Sequence, residues 1–176
     1  MGSQSFDFEV LTNKAYFGTL MIFFSLKKAG FNVFDVPSNI FINSLASYFK
    51  EKNIIKLPKY SALVKTSKAN DCEPINADYI YYKAAAICRK LYLTKSKNIG
   101  VGSLRSMFSK KQRRGCQPPK TFKAGGKIIR DLVIQLKAAK YLKNFGSEEE
   151  ESNHGLTLTK TGRSELDKIA AGIMKK

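Results

Sequence analysis

The chain has 176 residues, 43% of them hydrophobic and 26% charged, with a net charge of +17. Such a chain suits roughly one globular domain and excludes wholesale disorder. Its three cysteines, Cys72, Cys88 and Cys116, have no paired spacing, and His154 is the lone histidine, which argues against a disulfide framework and a zinc site. Each cysteine is therefore expected to be a small packing residue.

The first apolar run, Ala15 to Leu26, falls short of the ~20 residues that span a bilayer. It has the length of a signal-peptide core. However, Asp7 and Glu9 precede it, and Lys27 and Lys28 stand where small cleavage-site residues belong. It reads instead as a short helix that packs on a partner or on the main domain. Asp35, Pro37 and Ser38 form a helix-start cluster. Phe41, Ile42, Leu45, Ala46 and Phe49 follow at amphipathic spacing, and Asn53 ends that helix. Pro58 pushes Leu57 out of the helical region, so residues 54–58 read as extended, with another short helix over 60–65.

A second long helix is expected from Asn76, a good N-cap, with Asp78 in its first turn. Ile80, Ala84, Ile87 and Leu91 share one face, and Tyr79, Tyr82, Lys83, Arg89 and Lys90 the opposite one. From Thr94 to Gly126 helical periodicity is lost. Gly100, Gly102, Gly115, Gly125 and Gly126, with Pro118 and Pro119, mark a long, loop-rich arm. The arm carries Arg105, Lys110, Lys111, Arg113, Arg114, Lys120 and Lys123, and a partner would have to hold it. A third helix from about Lys127 puts Ile129, Leu132, Val133, Leu136 and Ala139 on one face. Residues 141–143 and 156–158 read as two short strands around an acidic loop with Glu148 to Glu151. Thr159 or Thr161 caps a last helix in which Leu166, Ile169, Ala170 and Ile173 repeat at helical spacing. The fold class is mainly α. It is a winged-helix-like domain around a central amphipathic helix, with a small C-terminal β-hairpin.

Charge is the most informative property. Between Tyr79 and Arg130 there are fourteen Lys or Arg residues and no Asp or Glu, so these 52 residues hold +14 and the rest only +3. Cations without internal counter-charge repel one another unless a dense anion neutralises them. Duplex nucleic acid, with a phosphate about every 1.7 Å of axis, is such an anion. Tyr79, Tyr81, Tyr82, Tyr92, Phe108 and Phe122 add flat surfaces for bases or ribose.

Catalytic constellations are missing. No serine or cysteine has a local base pattern, and His154 reads as a solvated loop residue. Gly100-Val101-Gly102 lacks a third glycine, and Ile128 follows Gly126-Lys127 where a phosphate loop needs Ser or Thr. The four glutamates read as a repulsive loop tip rather than a cation site. The expectation is therefore no enzyme, no catalytic residue, no metal, no cofactor and no small-molecule substrate.

The run Tyr79–Leu93, then Gly100-Val101-Gly102-Ser103 and Gln112-Arg113-Arg114-Gly115, resembles the S-nineteen-e family of small-subunit ribosomal proteins of eukaryotes and archaea. Leu156-Thr157, Gly162-Arg163 and Leu166-Asp167-Lys168-Ile169-Ala170 resemble its ending, and Phe41-Ile42, Leu45-Ala46, Tyr48, Pro58 and Val64-Lys65-Thr66 also fit. The resemblance implies a component of the head of the small subunit that binds rRNA and is needed for rRNA maturation and subunit assembly. Its implied partners are small-subunit rRNA and neighbouring ribosomal proteins, not a membrane. The implied location is cytoplasmic ribosomes, with assembly partly in the nucleolus if the source is eukaryotic. From the family's basic face, its arm and its third-helix arginine, the resemblance carries over Tyr79, Lys83, Arg89, Gln112, Arg113, Arg114 and Arg130. Together with the cations read from the sequence, the rRNA-binding candidates are Tyr79, Lys83, Arg89, Lys90, Arg105, Lys110, Lys111, Arg113, Arg114, Lys120, Lys123, Lys127 and Arg130.

The chain departs from the family pattern in places. Tyr60 and Tyr79 stand where the family commonly has Trp, which implies weaker stacking. Asn153-His154-Gly155 replaces the usual Gly-Gly-Arg, which argues against rigid RNA contact by that wing. The expected division is an N-terminal extension over 1–30 and an RNA-binding domain over 31–176. The first thirty residues read as a lineage-specific extension or an artefact of the assigned start, with Met21 an alternative start. The competing readings are a winged-helix DNA-binding regulator, disfavoured because the third helix offers few Asn or Gln for base edges, and a basic protein docking on an acidic membrane.

Overall fold

The computed structural model describes residues 31–94, 99–145 and 155–175. Helix α1 (Ser38–Glu51) starts after Pro37, whose φ of −55° and ψ of 137° bring the chain in extended. It ends where sequence expected, because Asn53 accepts a left-handed φ of 49°. The N–H groups of Asn53 and Ile54 then donate to the Lys50 and Phe49 carbonyls, closing the helix in a Schellman motif. The 60–65 segment is reduced to a 3₁₀ turn, Ser61–Leu63.

The central helix α2 (Tyr79–Leu93) begins three residues later than Asn76. Asp78 makes no capping bond there; its carboxylate instead reaches Lys50 on α1 at 2.7 Å. Ile80, Ala84 and Ile87 are fully enclosed, as their spacing requires, but the buried arc is wider than one stripe. It also takes in Tyr81, Ala85, Cys88 and Tyr92, because α1 and β4 flank the helix as well.

The loop-rich arm is the main correction. Residues 99–125 form helix α3 (Val101–Met107), anchored by the enclosed Leu104, and a β-hairpin of β1 (Lys110–Arg114) and β2 (Gln117–Phe122). The strands pair antiparallel, Lys110 opposite Phe122 and Gln112 opposite Lys120, with a bulge before Arg114 and a left-handed Gly115 (φ 63°) at the turn. Nearly every strand residue is exposed, so no apolar alternation announces the hairpin. Pro118 and Pro119 are tolerated because a two-stranded ribbon has free edges.

Helix α4 (Gly126–Ala138) buries Ile129, Leu132, Val133 and Leu136 and ends in a second Schellman motif at Lys140 (φ 60°). Strands β3 (Leu142–Asn144) and β4 (Leu156–Leu158) pair in register, Leu142 with Leu158. Helix α5 (Lys160–Met174) is capped by Thr159, whose hydroxyl accepts the Gly162 N–H at 2.9 Å. α1 packs on α2 and α5, α3 packs on α4, and α2 touches α4 and β4, so the described residues from Val33 to Ala170 share one core. Enclosing side chains such as Phe41, Leu45, Phe49, Ile87, Leu132 and Leu166 contributes about 1.5–3 kcal/mol each.

One further expectation changes. Cys88 is a buried packing residue, whereas Cys72 and Cys116 are exposed. The Ala15–Leu26 run, His154 and Glu148–Glu151 lie outside the described residues. Among the described residues no helix is long and apolar enough to cross a membrane, and no group of three or more acidic, Cys or His side chains could hold a metal.

Candidate nucleic-acid interface

All the nominated residues except Tyr79 fall into three clusters joined through α3. The first lies on α2. Lys83 and Lys90 both face the Phe108 ring, at 4.0 and 5.1 Å from its centre, and all three side chains are half-buried. Burial, followed by repulsion from Lys90, lowers the Lys83 pKa to about 8. Arg89 is also half-buried, and its Nε is enclosed with no partner among the described residues. Phe108, at the end of α3, therefore covers the Lys83 and Lys90 part of the helix face expected to stand free, and of the five residues read on that face only Tyr82 is exposed.

The second cluster forms where α3 meets the start of α4. Arg105 on α3 donates from Nε to the Ala124 carbonyl at 3.0 Å. A Cβ placed on Gly126 would lie 3.3 Å from that Nε and 3.2 Å from an Arg130 Nη, so two guanidiniums converge over the first residue of α4. The unpaired N–H groups of a helix start give the same place positive potential. Lys127, one residue on, lies 4.3 Å over the Tyr60 ring. Tyr60 in turn donates to Asp131, and burial followed by this bond pushes its pKa up to about 12.

The third cluster is the hairpin. One face rests on the 66–71 loop: Lys110 Nζ donates to Asn70 at 2.9 Å, and Lys68 stands 5.4 Å over Phe122. Gln112 reaches Asp71 at 3.5 Å. Ser67 bridges Ala124, and the Gly125 N–H donates to Thr66, fixing the hairpin base. Lys111, paired with Thr121, points to the other face. Arg114 spends two donors on the Pro118 carbonyl, at 3.2 and 2.7 Å, and stiffens the turn. Lys111, Arg113, Arg114, Lys120 and Lys123 are all exposed.

Several flat rings are not free. Tyr81 and Tyr92 are buried; Tyr92 donates to Asp167 at 2.6 Å, with Phe34 and Arg163 against its ring. Phe108 and Phe122 are covered by lysines, so they hold cations in place rather than offering open stacking platforms. Tyr79 donates to the Ser61 carbonyl and lies apart from the three clusters. Lys68 was missed because it precedes the all-basic window; only the fold brings it beside Phe122 and Lys120. A cavity of about 450 Å³ at the end of α2, lined by Leu91, Leu156, Leu158 and Arg163 among others, includes none of the nominated residues.

The model of the family described as Ribosomal protein S19e matches residues 32–176. A relative from Argopecten irradians, named small ribosomal subunit protein eS19, is 33% identical over 147 residues, covering 84% of this chain and 96% of its own. Proteins of the same name from Candida albicans (35% identical; 83% and 96% covered) and Oryza sativa subsp. japonica (30%; 79% and 90%) are similar over nearly the same span. A ribosomal protein family agrees with the expectation that the chain is not an enzyme. The matched residues are those that carry the helical core, the cationic hairpin and the convergent arginines, and the chain belongs to the ribosomal protein S19e family.

Proposed function

We propose that the chain is a structural component of the head of the small ribosomal subunit, binding its rRNA and supporting rRNA maturation and subunit assembly. In this reading residues 31–176 are the RNA-binding domain and residues 1–30 an N-terminal extension. The protein works in cytoplasmic ribosomes, beside neighbouring ribosomal proteins. The observation that carries the reading is the convergence of Arg105 and Arg130 over Gly126 at the base of an almost entirely exposed hairpin that carries Lys110, Lys111, Arg113, Arg114 and Lys120 and no carboxylate. Two guanidiniums held against a helix start repel one another in the free protein, and a phosphate between them removes that repulsion. The hairpin then lies along RNA backbone, so its cations position the protein while rRNA shape supplies recognition.

The test is binding to a small-subunit rRNA fragment across a salt series. Affinity is expected to fall with a log–log slope of about −0.7 to −0.9 per phosphate contacted. Arg130→Glu, at an exposed position, is expected to leave the fold intact and make the slope shallower by about one to two contacts. A flat salt dependence in the unaltered protein would overturn the reading.

A further inference from the structure

The charge pattern reverses abruptly at Tyr79. Residues 69–78 hold Asp71, Glu73 and Asp78 and no Lys or Arg, whereas the next 52 residues hold fourteen cations and no carboxylate. This acidic segment also carries, among the described residues, the most exposed large apolar side chain, Ile75, at 101% of full exposure. Ile75 is not isolated. With Leu57, Ala62, Pro74 and Tyr79 it lines a groove of about 230 Å³, and Leu63, 84% exposed, follows Ala62 on the 3₁₀ turn. Adjoining exposed apolar side chains of this kind mark interaction sites, whereas single ones need no explanation.

The groove has one charged lining residue, Glu73; Lys56 and Lys59 lie on the neighbouring loop but do not line it. The other two carboxylates of the segment are engaged, Asp78 with Lys50 at 2.7 Å and Asp71 with the Gln112 amide at 3.5 Å. Glu73 has no ion pair or hydrogen bond among the described residues. A phosphate at this rim would meet that carboxylate, so the groove disfavours RNA and favours a cation beside an apolar group. Tyr79, nominated from the sequence as an rRNA contact, lies on this side, with its hydroxyl satisfied by Ser61.

We propose that this groove receives a basic protein segment, an aliphatic side chain seated against Ile75, Leu57 and Tyr79 with a flanking Lys or Arg paired to Glu73. This rests on the reading of the chain as a small-subunit component, because the partner is a protein met in the assembled particle. The test places the photo-crosslinking residue p-benzoylphenylalanine at Ile75 in one full-length chain and at Arg113 in another, each expressed in cells from which small subunits are purified. Both positions are exposed and outside the core, so the fold is kept. The expected product at position 75 is a crosslink to a protein peptide with an aliphatic residue beside Lys or Arg. Its yield should fall about fivefold or more with Glu73→Lys and persist with Glu73→Asp. A crosslink from position 75 to rRNA, to a second copy of this chain, to a peptide without cations or to nothing overturns the proposal. In each of those cases position 113 still crosslinks to rRNA. If neither chain sediments with small subunits, the ribosomal reading fails, and this proposal with it.

Discussion

The Lys83 ammonium stands 4.0 Å from the centre of the Phe108 ring, held there against the repulsion of Lys90, 5.1 Å from the same ring. Its pKa, lowered to about 8, means that an approaching phosphate must draw a proton onto it above that pH. At constant ionic strength, affinity for small-subunit rRNA is expected to fall as pH rises through this window. Lys83→Arg keeps the charge and should flatten the profile. A profile unchanged by that substitution would show that another group titrates.

The same group affects folding with the opposite sign. Below about 8 the folded state bears the whole cost of a half-buried charged Lys83, and above 10.5 neither state bears it. In between, the unfolded chain binds more protons, so stability is expected to rise with pH. Cys88, Tyr60 and Tyr92, all pushed up to about 12, oppose this, the thiol above 9.0 and the tyrosines above 10.0, where the unfolded groups ionise and the folded ones do not. Urea midpoints measured from pH 8 upward should therefore climb, level off past 9.0 and turn down past 10.0. Lys83→Met should remove the climb and leave the downturn.

Arg89 is less exposed than its position opposite Ile80 and Ala84 suggests, and its Nε is enclosed without a partner. Arg89→Glu is therefore expected to destabilise the isolated domain, because it brings a carboxylate into the same half-buried place. Arg89→Met removes the unpaired donor at similar length and should change stability by no more than about 1 kcal/mol, in either direction. It should still weaken rRNA binding. Equal urea midpoints for the Glu and Met variants would contradict this account.

Two glycines of α5 make a matched pair. A Cβ at Gly162 would lie 2.8 Å from the Tyr141 carbonyl oxygen, where β3 begins, whereas a Cβ at Gly172 meets nothing within 4 Å. Gly162→Ala is expected to cost about 1–3 kcal/mol despite alanine's better helix propensity. Gly172→Ala should add about 0.5–1 kcal/mol. Thermal unfolding should move in opposite directions for the two, by about 2–4 °C per kcal/mol.

The long helices were legible because each sequence carries its own period. Phe41, Leu45 and Phe49, or Ile129, Leu132 and Leu136, must share a side whatever they pack against. Thr159 and Asn53 were legible because capping and helix-ending are local acts of a side chain or a φ angle. The hairpin was not, since its strands bury almost nothing and its anchors, Ser67, Arg105 and Ala124, come from distant parts of the chain. The start of α2 was misplaced for the same reason: Asp78 has a cap to make locally and an ion pair to make across 28 residues, and it makes the second.

The sequence by itself determined the sign and the density of charge, because fourteen cations without a carboxylate remain so in any conformation. Only the tertiary structure decided which of them converge, with Arg105 and Arg130 over Gly126 and Lys83 and Lys90 on Phe108, and that Tyr79 belongs to a different surface. Composition is a sum along the chain, whereas a site requires groups far apart in sequence to be held within a few ångströms by the packing between them.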